Sequence, residues 1–200
     1  MEVQDESSLI AIKDAAKECK DCSLWANATQ TVFGEGSPHA KVVLIGEQPG
    51  DQEDLQGHPF VGPAGKLLDK ALEAAGVDRK TVYITNAVKH FKWTPKGKRR
   101  IHKTPGQREI DACHQWIERE IHIIKPRVIV CLGATAAKAI LGKDFKVSTQ
   151  RGHLIESHLA EFAFATLHPS AILRIQEADA RQETYEQFVQ DLSLIKKALN

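Results

Sequence analysis

Ala40-Lys41-Val42-Val43-Leu44-Ile45-Gly46 is a short apolar run, rich in β-branched residues and closed by a glycine. A run of this length with no alternating polar face predicts a strand buried on both sides, as in a parallel sheet covered by helices on each face. Three further stretches have the same character: Thr81-Val82-Tyr83-Ile84-Thr85-Asn86, Arg127-Val128-Ile129-Val130-Cys131-Leu132-Gly133 and Phe162-Ala163-Phe164-Ala165-Thr166-Leu167. Helical patterns lie between and around them, at residues 66–75 before Gly76, 105–124 before Pro126, 134–141, and 178–199 at the end of the chain. Residues 8–19 add a short amphipathic helix with Leu9, Ile10, Ile12, Ala15 and Ala16 on its apolar side, and residues 27–39 and 57–65 read as loops. Strands alternating with helices predict an α/β fold, a three-layer α/β/α sandwich around a central, mainly parallel four-stranded sheet. With no internal repeat, low-complexity tract or linker, residues 1–200 are expected to form a single domain.

The 200 residues are 42% hydrophobic and 26% charged, with a formal net charge of +1, which suits a globular chain with a substantial core. No apolar run approaches the ~20 residues of a membrane-spanning helix. The acidic start Met1-Glu2-Val3-Gln4-Asp5-Glu6 lacks the apolar segment of a secretory signal. The expectation is a cytoplasmic protein with no membrane association. In that reducing setting the four cysteines are better candidates for metal ligands than for disulfides.

The charge is unevenly spread. Residues 89–108 hold eight Lys or Arg and no Asp or Glu, centred on Gly97-Lys98-Arg99-Arg100-Ile101-His102-Lys103. A local basic excess in a near-neutral chain is a footprint for phosphate, although a solvated charged loop accounts for the run as well. Gly46-Glu47, Asn86, Gly133 and His168 each stand at the C-terminal end of a predicted strand, the edge at which open α/β sheets bind ligands. The basic stretch follows directly from one of those ends.

Five motifs, in order, carry a family likeness. Gly46-Glu47-Gln48-Pro49-Gly50-Asp51-Gln52-Glu53-Asp54 with Gly57-His58-Pro59-Phe60-Val61-Gly62-Pro63-Ala64-Gly65, then Thr85-Asn86-Ala87-Val88-Lys89, Leu132-Gly133-Ala134-Thr135-Ala136 and His168-Pro169-Ser170, resemble the motifs of family 4 uracil-DNA glycosylases. The likeness extends from Cys19 to about Arg174. The insertion Lys98-Arg99-Arg100-Ile101-His102 is similar to the signature loop of the UdgX branch, whose members end in a covalent protein–DNA adduct. The resemblance implies the uracil-DNA glycosylase fold and a substrate of uracil-containing DNA, single strands preferred, acted on by a monomer.

It also implies a pocket. Uracil must leave the base stack to be reached. Phe60 can supply a stacking face, and the Asn86 amide, donor and acceptor together, suits the O4 and N3–H edge of the base. His168 can donate to O2 as charge develops on the leaving base. Gly46, Gln48 and Asp51 complete the substrate-binding candidates, with Gln48 and Asp51 placing either the sugar or the loop. His102 is the inferred nucleophile toward the anomeric carbon, and Glu47 its partner; the alternative is a conventional hydrolytic family 4 uracil-DNA glycosylase that leaves a free abasic site, with His102 only a phosphate-contacting histidine. Lys89, Lys98, Arg99, Arg100, Ser170 and Arg174 are DNA-binding candidates, with Lys98 or Arg100 open to fixing the loop through protein carboxylates instead. Phe91 and Trp93 either stack on bases or pack the loop onto the sheet, the second being preferred.

The family carries a 4Fe-4S cluster. Motif by motif, its ligand positions fall on Cys19, Cys22, His90 and Cys113, which leaves Cys131 as a buried strand residue behaving as a small hydrophobe. Zinc in the same Cys3His set is the alternative.

Overall fold

A computed structural model describes residues 2–200; Met1 lies outside the described residues, as do the side chains of residues 2–4. Helix α1 (Glu2–Lys17) leads through a 3-10 turn at Ser23–Ala26 to β1 (Val42–Gly46), α2 (Asp51–Gln56), α3 (Pro63–Ala74) and β2 (Val82–Asn86). The hairpin β3 (Trp93–Lys96) and β4 (Arg99–His102) follows, then α4 (Gln107–Ile124), β5 (Val128–Leu132), α5 (Ala134–Leu141) and α6 (Val147–Gln150). The chain closes with β6 (Phe162–Thr166), α7 (Pro169–Leu173), α8 (Ala178–Leu192) and α9 (Leu194–Leu199).

The four long apolar runs form one parallel sheet in the order β2-β1-β5-β6. Every residue of β1, β2 and β5 is buried, the reason these strands read as unbroken apolar runs. Alternate side chains feed two cores. Val42, Leu44, Ile84, Val130 and Phe164 pack with α3, α8 and α9 on one face. Val43, Ile45, Tyr83, Ile129 and Cys131 pack with α4 and α5 on the other. The three-layer sandwich expected from the sequence is the observed one.

Three features depart from the sequence reading. The expected loop at 97–103 belongs to a two-stranded hairpin, turned at Gly97-Lys98 between the paired Lys96 and Arg99. The polar segment Asp51–Gln56, to which the sequence assigned no element, is helical. The closing helix breaks at Ser193.

The topology makes a crevice. From β1 the chain crosses to β2 through α2 and α3, and from β5 it crosses to β6 through α5 on the opposite face. Adjacent strands β1 and β5 therefore send their following segments apart, the switch point at which such sheets bind ligands.

Candidate active site

A cavity of about 290 Å³ opens at that edge. Glu47, Asn86, Gly133 and His168, all from strand ends, line it together with Phe60 and His102.

Its deepest part is shaped by backbone. Phe60 has φ 56°, a left-handed conformation uncommon for an aromatic residue. This sets its ring over Gly46, where an added Cβ would lie 2.6 Å from the ring and against Asn86 Oδ1. Gly65 at the start of α3 is equally constrained, since a Cβ there would collide with the Phe60 carbonyl. Glu53 holds the same loop from below, accepting from Gly62 N at 2.8 Å. Asn86 is buried, and its Oδ1 has no hydrogen-bond partner among the described residues. A buried acceptor of this kind is costly unless a ligand supplies the missing donor.

His168 faces Phe60, with ring centroids 5.9 Å apart. Its Nδ1 accepts from Ser170 N at 3.2 Å and lies 2.8 Å from Ser170 Oγ, so the ring proton of the neutral form sits on Nε2. Burial pushes the ring pKa down to about 4, against the pull of Glu47. His168 is therefore a neutral donor at physiological pH.

Glu47 follows β1. One oxygen, Oε1, lies 3.3 Å from His102 Nε2, and the other accepts from Thr135 Oγ1. Burial opposes ionisation, yet the hydrogen bonds from His102 and Thr135 outweigh it and hold the carboxyl below its ordinary value.

The hairpin that carries His102 is pinned by polar contacts. Arg100 Nε reaches Asp51 Oδ1 at 2.6 Å, and Nη1 reaches Asp54 Oδ2 at 2.5 Å and Thr29 Oγ1 at 3.1 Å. Asp54 is fully buried. Gln48 closes the base of the hairpin, its Oε1 accepting from Lys92 N at 3.0 Å and its Nε2 donating to Lys103 O at 3.0 Å. Phe91 is buried beneath, 6.1 Å from the His102 ring, and Arg100 lies over both Phe91 and Trp93. The aromatic pair packs the loop, as preferred from sequence.

The expected site residues thus divide. Glu47, Phe60, Asn86, His102, His168, Ser170 and Arg174 share the cavity wall. Lys98 and Arg99 are exposed on the hairpin and make no ion pair among the described residues. Gln48 also touches the cavity, but its amide is spent on the hairpin; Asp51 binds Arg100 and is not among the lining residues. For Arg100 the structure supports the loop-fixing option. Lys89 is a correction. Expected on DNA, it is 1% exposed, with Nζ 2.6 Å from Glu120 Oε2 and 3.0 Å from the Asn86 carbonyl. It anchors the strand end that presents Asn86. Thr135 and Glu53 carry no role in the sequence reading, although each lies inside a quoted motif.

Cys19, Cys22 and Cys113 gather in one small core with Trp116 and Val88. Trp116 Nε1 donates to Cys19 Sγ at 3.3 Å, and Lys89 N donates to Cys113 Sγ at 3.2 Å. N–H donors aimed at sulfur are the contacts that favour thiolates in a cluster. His90 is buried nearby, its Nε2 2.9 Å from Thr31 Oγ1. Among the described residues no three His, Cys, Asp or Glu converge tightly enough to hold a single ion. Cys131 is fully buried in β5.

A family model described as the uracil-DNA glycosylase superfamily matches residues 33–193. A Type-4 uracil-DNA glycosylase of Thermotoga maritima is 37% identical over 193 residues, covering 96% of this chain and 97% of the relative. A Type-4 enzyme of Sulfurisphaera tokodaii is 41% identical over 174 residues, covering 83% and 76%. A third, from Archaeoglobus fulgidus, is 37% identical over 162 residues, covering 78% of each chain.

Proposed function

We infer that this chain, which belongs to the uracil-DNA glycosylase superfamily, excises uracil from DNA in the crevice at its strand ends. The observation that carries the reading is the buried, unpartnered Asn86 Oδ1 beside the Phe60 ring. A flipped uracil stacks on Phe60, gives its N3–H to Oδ1 and accepts the Asn86 amide at O4. Cytosine offers an amino donor and a bare N3 there, leaving Oδ1 mismatched. As the N1–C1′ bond breaks, its electron pair passes to the base, and His168 Nε2–H donates to O2 where the charge collects.

Two fates of the sugar follow. The relatives are Type-4 uracil-DNA glycosylases, and they favour hydrolysis. In that reading water attacks C1′, its proton passes to Glu47, and a free abasic site remains. A specific observation favours a second reading, that of the UdgX branch: His102 stands on the cavity wall in contact with Glu47. There the ring nitrogen not engaged by Glu47 bonds to C1′ as uracil leaves. The alkylated ring becomes an imidazolium, which keeps its other proton and is neutralised by Glu47. Incubation with uracil-containing single-stranded DNA followed by a denaturing gel distinguishes the two. Free uracil with alkali-labile DNA supports hydrolysis, and a band shift that survives heat and detergent supports capture. Unchanged DNA removes both.

Lys98, Arg99, Ser170 and Arg174 contact the DNA backbone at the cavity mouth. A 4Fe-4S cluster on Cys19, Cys22, His90 and Cys113 serves structure, joining the N-terminal segment to the base of the hairpin, with zinc as the alternative. The protein acts as a monomer of one domain on cytoplasmic DNA, with single strands preferred. Among the described residues no helix is long and apolar enough to cross a membrane.

A further inference from the structure

The readings above use one oxygen of Glu47, the Oε1 beside His102. The other accepts from Thr135 Oγ1, and among the described residues no other side chain donates to it. Thr135 is buried at the second position of α5, immediately beyond the turn from β5. Because β1 and β5 are neighbours whose following segments diverge, this single bond ties the two walls of the crevice together at the switch point.

We propose that Thr135 is a positioning residue for uracil excision, its hydroxyl fixing Glu47 in the orientation that presents Oε1 to His102 and the sugar. The proposal rests on the glycosylase reading. A glutamate has three rotatable bonds, whereas a β-branched threonine on a helix has few rotamers, so the stiffer partner sets the geometry. In the first turn of α5 no carbonyl of its own helix lies one turn behind Thr135, and its hydroxyl bridges to another strand end instead. The bond to a carboxylate is charge-assisted. The ionisable groups facing Glu47 are His102 from the hairpin and His168 from the segment after β6, with Arg174 behind His168. Without the hydroxyl, burial opposes the carboxylate with only the histidines to offset it, so protonation of Glu47 moves to higher pH.

Thr135→Val keeps the shape and removes the hydroxyl, Thr135→Ala is a second hydroxyl-free form, and Thr135→Ser restores the donor. Two readouts are needed. The first is the NMR titration of the ¹³C-labelled Glu47 carboxyl in the free protein. The second is the single-turnover release of uracil against pH, with binding measured on DNA carrying a non-cleavable 2′-fluoro deoxyuridine. The Val and Ala forms are expected to move the Glu47 midpoint to higher pH. They slow release roughly 10- to 100-fold, in line with the cost of a misplaced catalytic group, move its acidic limb to higher pH in step with the carboxyl midpoint, and leave binding within about threefold. The Ser form returns both midpoint and rate. A wild-type midpoint in the Val and Ala forms, or a Ser form as slow as Val, overturns the proposal. If the wild type releases no uracil the glycosylase reading fails, and the carboxyl titration still decides whether Thr135 holds Glu47.

Discussion

The two sides of the cavity are built on different physics. Asn86, His168 and Glu47 stand at the ends of strands whose residues are almost wholly buried, so their positions are fixed by two hydrophobic cores. His102 stands on a two-stranded hairpin outside the main sheet, with β3 and β4 exposed along much of their length. An isolated hairpin is marginally stable in water, and this one is held by Arg100, Gln48 and the Phe91 platform. In the proposed function the fixed wall reads the base, and the hung arm brings an imidazole to the sugar. Changes on the wall should therefore act on stability and base reading together, whereas changes on the arm should act on chemistry with the fold intact.

The largest expected effect tests the arm. His102→Gly should abolish any heat-stable protein–DNA band with little loss of thermal stability, because the ring is half-exposed and its one aromatic neighbour, Phe91, stays buried in the platform. Release of free uracil by this variant would show that the fixed wall suffices for excision, with water entering the vacated space. Persistence of the crosslinked band would remove His102 as the attachment point.

On the wall, Lys89→Met leaves Glu120 buried and charged with only Tyr83, Thr85 and the Gly34 amide to donate to it. Breaking one half of a buried ion pair costs about 3–5 kcal/mol, which for a chain of this size lowers the melting temperature by roughly 6–20 °C. A melting curve followed by circular dichroism measures this. A Lys89→Met protein that melts with the wild type but binds DNA more weakly would return Lys89 to the DNA-contacting role expected from sequence.

Arg100→Ala sits between these cases. It frees the arm while leaving the buried Asp54 with Thr29 N as its remaining donor. The expected outcome is faster hydrogen exchange confined to β3 and β4 and loss of roughly 10- to 100-fold in the step that needs His102, with uracil recognition retained. Exchange accelerated across β1 and β2 as well would mean that the arm and the wall are one mechanical unit.

The same division explains what was legible in the sequence. Strands buried on both faces announce themselves as apolar runs stopped by a glycine or a polar residue, and these fixed the sheet, its four ends and the crevice. Nothing comparable marks Trp93-Thr94-Pro95-Lys96 or Arg99-Arg100-Ile101-His102: with no buried face there is no alternation to read, and Pro95 argues against a strand. Lys89 misled because a cation at the head of a basic run looks exposed, while its partner Glu120 lies 31 positions away on another element. Glu120 is charged on a helix whose other buried residues are mostly apolar, and no sequence pattern links the two. Arg100 is ambiguous from sequence for the complementary reason: Asp51 and Asp54 lie inside the first motif, but only folding brings α2 against the hairpin.

The smallest expected effect returns to the wall and concerns pH. His168 is held neutral, with its pKa pushed down to about 4 by burial, against about 6.5 in an unfolded chain. Between those values the unfolded chain binds a proton that the folded one refuses, so unfolding is favoured progressively as pH falls from about 6.5 to about 4. Glu47 adds a second loss of the same sign at the acidic end, since a carboxyl held below its ordinary value stabilises the fold above its unfolded pKa and loses that contribution as it protonates. His168→Asn removes the first contribution and leaves the second. Its melting temperature should therefore fall less than that of the wild type between pH 6.5 and 5, and the two curves should run parallel only below about pH 4. Uracil release by the wild type should hold steady through the upper part of this range, because His168 remains a neutral donor there, and fail at the acidic end as Glu47 gains its proton. Parallel melting curves across the whole range would mean that His168 is open to water, and the wall would then lack the dry donor on which its proposed role toward O2 depends.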